Sequence, residues 1–447
     1  MMVSSAMRSF EEQWQRRSVD PIRNAGPIHG LREQAMRRFV SLGLPSARDE
    51  SWRHTNLRQL AASHFVDAPD VPFTSGAGSA ELSWLAASGI PTILMVNGYP
   101  QLATLDQRFF SGISINSLER IAKTNPETLL KFFQPLSDLE QRRWLLLNNA
   151  LCVDGLHLKI AEKVSAPVLI IHVSSGNTLS GATAPVSNYP RVIIEAANNS
   201  TATIIEHHVG VSRQSVFSNS VTHLAVGDNS KIEHYRIFST ESNTSHIDSL
   251  DIRLGRDSHC QQFTIVLGGG LVRTNLEAEL NQAGATLDNY SLLVGHASRH
   301  IDCVNVARHN APNTTSKQTA RAIASDESRV IINSKVVVEV GAQHSDSQQS
   351  CRGLLLSPKA EIDTRPQLEI HTDEVKCAHG ATTGRLDPDM LFYMLSRGLD
   401  RNTAQSLLVY AFLADVLTGM SVAGARSAIE NVLVSQLPNS QLLREFQ

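Results

Sequence analysis

Asn199-Ser200-Thr201-Ala202 is the first of four short stretches that share one template. In each of them a turn residue is followed by a small residue, then by any residue, then by an apolar one. The other three are Asn229-Ser230-Lys231-Ile232, Asp257-Ser258-His259-Cys260 and Gly284-Ala285-Thr286-Leu287. The small residues stand at positions 200, 230, 258 and 285, so the successive spacings are 30, 28 and 27 residues. A repeat of this length, built from short strands, indicates stacked supersecondary units.

The region from 156 to 376 has the strand pattern that such a repeat requires. Short runs rich in Val and Ile are separated by turn signals, and helical periodicity is absent. Two later stretches fit the template loosely, namely Asp326-Glu327-Ser328-Arg329-Val330 and Lys359-Ala360-Glu361-Ile362. Two or three strands per coil would suit a β-helix or a sandwich-like solenoid. An ordinary β-sandwich with common turn chemistry is the alternative.

The segments on either side of this region are helical in pattern. Before it we predict a helix that ends at Gly43, helices at 80–87 and 126–133, and a strand at 91–97. After it, Asp387 and Pro388 start a helix that Gly398 ends, and a weaker helix covers 421–437. An apolar stripe between these two helices is either a core face or a surface for a partner, and its members are Ala404, Leu407, Leu408, Ala411, Phe412 and Val416. We therefore divide the chain into an N-terminal helical domain (1–155), a β core (156–384) and a C-terminal helical domain (385–447).

Composition narrows the class of protein. The 447 residues carry a net charge of −3, so no bulk field attracts nucleic acid. The apolar runs are too short to span a membrane, and residues 1–17 lack the apolar segment of a signal peptide. The five cysteines are scattered, odd in number and without a CxxC motif. This pattern suits a reducing cytoplasm and argues against a self-sufficient iron–sulfur site, which usually needs about four cysteines held together.

Cys377 and His379 are the strongest candidates for chemistry. They lie two residues apart at a strand-to-helix junction, so both side chains project to one face of the strand. They could share a metal, or act as nucleophile and base, but a metal would need further ligands. A buried thiol beside a hydrogen-bonded imidazole is the structural alternative. Most other histidines are interpreted as surface or satisfied core residues, and the adjacent His207 and His208 face opposite sides.

Two other groups are interpreted structurally. Gly268-Gly269-Gly270 lacks the following Lys and helix of a phosphate-binding loop, so a flexible strand end is favoured. The carboxylate of Asp387 is explained by helix capping, which leaves no carboxylate pair with Asp389.

A longer set of residues around Cys377 carries a family resemblance. It consists of Leu354-Leu355-Leu356-Ser357, Ala360, Pro366-Gln367-Leu368-Glu369-Ile370, Asp373, Val375 to Thr382, Gly384, Leu391-Phe392-Tyr393 and Ser396-Arg397-Gly398. This set resembles the C-terminal signature of the SufB/SufD family of iron–sulfur cluster assembly proteins. The Gly43-Leu44-Pro45 and Trp52 motif resembles the SufD branch, and no cysteine-rich N-terminal motif of the SufB branch is present. Ala378 departs from the family, in which Ser is usual between the Cys and the His.

The resemblance implies a mainly β fold with helical ends, in which a right-handed parallel β-helix is flanked by N- and C-terminal helical domains. It implies a SufB–SufC–SufD complex, with SufB bound through the β-helix and the SufC ATPase bound through the C-terminal helices. The candidate partner-binding residues are Tyr393, Arg397, Leu408 and Phe412. The chain itself would be a non-catalytic subunit in the cytoplasm, without nucleic acid or membrane as partner.

The resemblance also implies a transient iron–sulfur cluster, or iron, shared with SufB. His379 matches a histidine ligand of the nascent cluster and Cys377 matches the nearby cysteine, so the partner would supply the missing ligands. This chain alone would bind no such group stably, and it could form a homodimer when SufB is absent. A purely architectural β-helix subunit and a β-helix carbohydrate-active enzyme remain as alternatives.

Overall fold

The computed structural model describes residues 4–18, 27–70, 89–133, 142–176 and 184–435. Its strands are β1 Val66–Asp67, β2 Thr92–Val96, β3 Tyr99–Pro100, β4 Ile113–Ser117, β5 Leu156–Ile160, β6 Val168–Ser174, β7 Val186–Asn188, β8 Arg191–Ala196, β9 Thr201–Gly210, β10 Val216–Val226, β11 Lys231–Ser239, β12 Thr244–Leu254, β13 His259–Val266, β14 Leu271–Leu280, β15 Thr286–Gly295, β16 His300–His309, β17 Thr315–Ala324, β18 Arg329–Val338, β19 Asp346–Leu355, β20 Glu361–Ile370 and β21 Lys376–Arg385. Its α-helices are α1 Ser5–Ser18, α2 Pro27–Leu42, α3 Arg58–Ala62, α4 Leu118–Thr124, α5 Glu127–Phe133, α6 Arg143–Leu151, α7 Pro388–Ser396, α8 Arg401–Leu417 and α9 Ala423–Ser435, and 3-10 turns lie at Glu50–Trp52, Leu102–Thr104 and Gln107–Phe109.

The strands form two sheets that face each other across one interior. Sheet A has the order β20-β18-β16-β14-β12-β10-β8-β5-β4, with β7 beside β10 and β1 beside β7, and sheet B has the order β21-β19-β17-β15-β13-β11-β9-β6-β2-β3. From β8 to β21 the chain alternates between the sheets, so each coil contains two strands. The pairings are parallel apart from β2 with β3 and β4 with β5. The predicted parallel β-helix is confirmed, and the ordinary β-sandwich is wrong.

The register of sheet B explains the repeat in the sequence. Lys231 pairs with Thr201 on one side and with His259 on the other, and His259 pairs with Thr286. These four residues are the third positions of the four template stretches. The spacings of 30, 28 and 27 residues are therefore the lengths of single coils.

Each template stretch forms the corner that leads into a strand of sheet B. Asn199, Asn229, Asp257 and Gly284 have φ angles of 62°, 55°, 51° and 77°. This left-handed region is open to Gly and tolerated by Asn and Asp, which accounts for the residue types at this position. The small residues that follow are at most 2% exposed, and the hydroxyl of Ser200 donates to that of Ser230 at 3.3 Å. The corners thus stack on one another along the coil axis.

The two loosely fitting stretches do not continue this series. Asp326 also has a positive φ, of 55°, but it lies between β17 and β18, where the chain crosses from sheet B to sheet A. Lys359-Ala360 lies likewise before β20 of sheet A. The series continues instead at Asn313 and His344, with φ of 57° and 60°. Both kinds of corner use small and polar residues, so the composition of a stretch does not distinguish them.

The interior of the β-helix has an apolar, polar, apolar order along each strand. On β11, Ile232 belongs to one apolar cluster and Phe238 to another, while His234 and Arg236 lie between them. On β9, Ala202 and Ile204 precede Glu206 and His208 on the same face. The buried polar side chains therefore form a layer across the middle of the interior.

The N-terminal segment covers the outer face of sheet A and extends both sheets. Phe10 and Trp144 of the helices pack against Phe217 of β10, and Phe39 packs against Trp144. The predicted helix at 126–133 is confirmed as α5, the predicted strand at 91–97 as β2, and the helix that precedes Gly43 as α2. The helix predicted at 80–87 lies outside the described residues. No helix in the described part of the chain is long and apolar enough to cross a membrane.

Of the C-terminal helices, α8 and α9 pack against the outer face of sheet B in one apolar cluster. The carboxylate of Asp387 accepts hydrogen bonds from the N–H groups of Asp389 at 2.9 Å and Met390 at 3.4 Å, and Gly398 has a φ of 90°, which confirms both predicted ends of α7. The weaker predicted helix is present as α9. Residues 436 and 437 of that prediction lie outside the described part.

The core face of α8 differs from the predicted stripe. Its buried apolar residues are Ala404, Val409, Leu413, Val416 and Leu417, whereas Leu407, Leu408 and Phe412 are half-buried and Ala411 is exposed. The predicted stripe thus matches the core face only in part, since Ala404 and Val416 are buried and Leu407 and Phe412 pack against the core cluster. The helix carries apolar residues on more than one side, so spacing alone did not identify the side that packs.

Gly268-Gly269-Gly270 forms the tight corner between β13 and β14. A Cβ at Gly268 would lie 2.3 Å from the carbonyl oxygen of Thr240, and one at Gly270 would lie 2.1 Å from that of Ser242. Gly269 has a φ of 91°. The structural interpretation of this run is correct, although close packing and not flexibility is the reason for the glycines.

We predict that Gly270→Ala lowers the free energy of unfolding by about 1–3 kcal/mol, because the added methyl group meets backbone. The measurement is the urea midpoint followed by circular dichroism. Gly384→Ala is the matched control, since a Cβ there meets no atom within 4 Å, and we expect a change within about 0.5 kcal/mol. Equal midpoints for the two variants would contradict the close packing at this corner.

Candidate functional site

The last coil of the β-helix is open at its outer edge. The strands β20 and β21 end their sheets, so each presents an unpaired row of backbone N–H and C=O groups. Both strands are exposed or half-buried along their length, in contrast to the buried strands beneath them. Within the described residues, no further strand pairs with this end.

Cys377 and His379 lie on β21 and face the same side. In the parallel register, Cys377 is opposite Ser347 and His379 is opposite Gln349. Ser347 and Gln349 are 0% and 4% exposed and belong to the interior of the preceding coil. The thiol and the imidazole therefore stand above the interior, at the open end of the stack.

The two side chains differ in environment. Cys377 is half-buried and packs against the interior apolar cluster together with Leu368. This burial, and secondly the carboxylate of Asp346, raise the pKa of the Cys377 thiol. His379 is exposed, and within the described chain no hydrogen bond or ion pair holds its ring.

The pair can supply part of a metal site but not a complete one. A tetrahedral site needs four ligands, and a cluster is commonly held by four thiolates. Among the described residues, the groups of three or more metal-ligating side chains lie elsewhere, in the interior. A second chain at the open edge could bring the missing ligands.

The candidate partner-binding residues divide into two pairs. Tyr393 and Arg397 are exposed on and just after α7, with the guanidinium 5.2 Å from the ring centroid. Met390 and Phe392 of the same helix are 53% and 71% exposed. Leu408 and Phe412, one turn apart on α8, are half-buried, and Phe412 packs against sheet B. Of these two helices, α7 therefore has the greater apolar exposure.

An interior group of titratable side chains was missed by the sequence analysis. His207 and His208 face opposite sides as predicted, and His207 is hydrogen-bonded to Ser239 at 2.6 Å. His208, however, joins an interior group, whose other members are His172, Glu206, His234, His246 and Asp248. The interpretation as satisfied core residues is wrong for His208, because its Nε2 is buried without a partner. The signal was the coil length, since Arg236 follows Glu206 by one coil of 30 residues, which brings His234 on the same strand within reach of the carboxylate.

Comparison with known proteins gives matches along most of the chain. Residues 178–412 match the family model for the "SUF system FeS cluster assembly, SufBD core domain", and residues 15–170 match the "SufBD protein N-terminal region". The first match covers the β-helix from β7 into α8. The second covers most of the N-terminal segment and the first interior strands.

Similar curated proteins occur in several bacteria. The chain is 28% identical to the iron–sulfur cluster assembly protein SufD of Escherichia coli over 413 residues, which cover 91% of this chain and 92% of that one. It is 29% identical to a SufBD family protein of Synechocystis over 402 residues, with 87% and 86% covered. It is 24% identical to SufD of Bacillus subtilis, with 72% and 73% covered.

We predict that iodoacetamide alkylates Cys377 slowly at neutral pH. The alkylation rate should still be rising as the pH passes 9.0, the ordinary pKa of a cysteine thiol. The thiolate is the reacting form, and a raised pKa keeps its population low. Asp346→Asn should increase the rate at neutral pH, because it removes the carboxylate that raises this pKa. The measurement is iodoacetamide labelling of Cys377 followed by peptide mass spectrometry, with the denatured chain as reference. If the alkylation rate of Cys377 reached its plateau at a lower pH in the folded chain than in the denatured chain, the raised pKa would be contradicted.

Proposed function

Because the chain belongs to the SufBD family of iron–sulfur cluster assembly proteins, we propose that it is the SufD-type subunit of a SufB–SufC–SufD scaffold. In this complex it would help to form the nascent cluster and support iron delivery, without catalysing a reaction itself. The observation that carries the proposal is the open last coil, where unpaired strand edges and an incomplete pair of ligands occur together.

The open edge is where SufB would bind. The outer edges of β20 and β21 offer backbone donors and acceptors in the parallel geometry of the stack. A partner with the same fold could continue the two sheets or lie against them, and the exposed Ile370, at 42%, would add apolar contact. The same edge would allow a homodimer when SufB is absent.

Cys377 and His379 would then face the partner and not bulk water. Because the two residues lie above the interior, such binding would bring a soft thiol and an imidazole to the junction of the two chains. Ligands from SufB would complete the coordination of iron or of a cluster, so the group would be transient and would not remain on this chain alone. An imidazole in place of a thiolate leaves less negative charge on a cluster, which favours its release to an acceptor.

The C-terminal helices would dock SufC, the ATPase of the complex. The exposed Phe392 and Tyr393, with Arg397 against the ring, form an amphipathic patch that suits a protein contact. Leu408 and Phe412 would extend that surface along α8. Because α8 also packs on sheet B, a movement imposed by ATP binding at SufC would reach the β-helix and could open the interface with SufB.

An architectural role is the second candidate. One observation favours it: within the described chain nothing fixes the ring of His379, whereas metal-ligating histidines are commonly held by a hydrogen bond to the second nitrogen. In that case the open edge would only join subunits, and the cluster would belong to SufB. The carbohydrate-active alternative has no support, since the family matched is one of assembly proteins.

We predict that His379→Ala abolishes cluster formation and leaves the complex intact. The measurement is anaerobic reconstitution of the co-expressed complex with iron and sulfide, read by visible absorbance, with size-exclusion chromatography for assembly. His371→Ala is the matched control, because His371 is an exposed histidine just after β20 at the same end of the stack. Wild-type absorbance from the His379→Ala complex would favour the architectural role.

We predict that Tyr393→Ala weakens binding of SufC by about tenfold or more, the usual consequence of truncating a central aromatic contact. Phe109→Ala is the control, since Phe109 is 64% exposed and lies in the N-terminal segment. The measurement is the Kd for purified SufC by calorimetry. Equal affinity of the two variants would move the docking surface away from α7.

A further inference from the structure

A cleft on the outer side of sheet A has features that the proposed function does not use. The segment 44–61 and Arg329 of β18 surround it, and its volume is about 560 Å³. Arg329 lies on the outer face of its strand, because the next residue, Val330, belongs to an interior apolar cluster. A cleft of this volume suits a small molecule. We call it the basic cleft, for the residues described next.

Three arginines of the segment line the basic cleft, namely Arg48, Arg53 and Arg58, and all three are exposed. Within the described residues, none of their guanidinium groups has an ion-pair partner. No carboxylate is among the described residues that line the cleft. Because the whole chain carries a net charge of −3, this local excess of positive charge is opposite in sign to the charge of the protein.

The acidic residues of the same segment are already compensated by other cations. Asp49 is paired with Arg143 of α6, and Glu50 is paired with Arg365 of β20. Neither of these carboxylates lines the cleft. Arg329 differs from the three exposed arginines, since it is paired with two carboxylates of β20. The unbalanced charge therefore belongs to the three arginines of the segment.

Buried neighbours hold this segment against sheet A. Trp52 is 2% exposed, and the guanidinium of Arg273 lies 3.8 Å from its ring centroid. The hydroxyl of Thr55 donates a hydrogen bond to the carboxylate of Asp302, and Leu57 is 6% exposed. The three arginines thus extend from a fixed backbone. An anion in the cleft would meet an arrangement whose backbone needs no further ordering, which lowers the cost of binding.

The residues that line the cleft indicate the class of anion. Guanidinium groups form bidentate hydrogen bonds with phosphate oxygens. Leu44, Pro45 and Ala61 line the same cleft and provide an apolar wall for the remainder of a ligand. An acidic peptide or a nucleic acid strand would need positive charge along an extended groove, whereas these arginines surround one concave space. The lining therefore favours a compact phosphate over an extended polyanion.

We propose that the basic cleft binds a phosphorylated small molecule with two or more negative charges. Arg48, Arg53 and Arg58 bind its phosphate oxygens, and the apolar wall contacts the rest of the molecule. The site is distinct from Cys377 and His379, which lie on sheet B. Because β18 pairs with β20, the last strand of sheet A, the bound molecule lies one coil from the open edge.

The test is isothermal titration calorimetry of the purified full chain with ADP, inorganic pyrophosphate and adenosine. The buffer has low ionic strength, which limits the screening of exposed charges, and contains a chelator that removes divalent metal ions. We expect saturable binding of ADP and none of adenosine, because adenosine has no charge for the arginines. Tighter binding of ADP than of pyrophosphate would assign the cleft to an organic phosphate, and the reverse order would assign it to an inorganic one.

Variants of single arginines locate the binding. Arg48→Ala, Arg53→Ala and Arg58→Ala should each weaken ADP binding by about tenfold, the usual consequence of losing a hydrogen bond to a charged group. Arg53→Lys should be intermediate, because it keeps the charge without the planar fork. Arg120→Ala is the matched control, since Arg120 is an exposed arginine of α4 that does not line the cleft. It removes the same charge and should keep the affinity of the wild type.

Phenylglyoxal, which modifies exposed arginines, gives a readout in the unmutated chain. ADP should slow the modification of Arg48, Arg53 and Arg58 but not that of Arg120, as measured by peptide mass spectrometry. The proposal would be overturned if neither ADP nor pyrophosphate bound saturably, or if Arg53→Ala and Arg120→Ala had equal affinity for ADP. Tighter binding of a hexaglutamate peptide than of ADP would also overturn it, and would assign the cleft to an acidic segment of a partner protein.

Discussion

The parallel hydrogen-bond ladder between successive coils is the constraint on which the rest of this structure depends. Each strand pairs residue by residue with the strand one coil before it. Successive corners must therefore begin and end at matching positions of this register. The left-handed residue and the buried small residue at each sheet B corner meet this requirement, because they set where the chain bends and allow the next corner to approach. A slip of one residue would send the interior side chains to the outer face.

A stack of parallel coils necessarily has two ends, and in this protein the two ends differ in structure. At the N-terminal end the sheets finish in short antiparallel strands, and the last of these in sheet B is Tyr99–Pro100, where a proline reduces the capacity of the edge to pair. At the C-terminal end ten-residue strands finish both sheets. The end with the greater capacity for pairing is the one that carries Cys377 and His379. The proposed partner binding and the proposed ligand role would thus both follow from one architectural asymmetry.

The interior of the β-helix contrasts with its open end, because the polar side chains of the interior are buried and not exposed at an edge. Hydrogen bonds and ion pairs satisfy much of the layer, as the Arg236 pair with Asp248 and the three partners of Glu206 illustrate. An all-apolar interior would be the simpler way to stabilise a stack of coils, and the apolar clusters on both sides of the layer show that the fold can provide one. Within the described residues, one ring nitrogen on each of His172, His208, His234 and His246 has no hydrogen-bond partner, so hydrogen bonding satisfies the layer only in part.

The sequence alone determined the features that depend on neighbouring or regularly spaced residues. The repeat near 28 residues predicted stacked coils, the capping residues predicted both ends of α7, and the two-residue spacing predicted a common face for Cys377 and His379. Only the tertiary structure decided which face of α8 packs, because that helix is apolar on several sides and sheet B selects one of them. The tertiary structure likewise brought His172, Glu206, His208 and His246 together from three strands. Their proximity depends on coil lengths and on the distance between the two sheets, neither of which is a property of any local stretch of sequence.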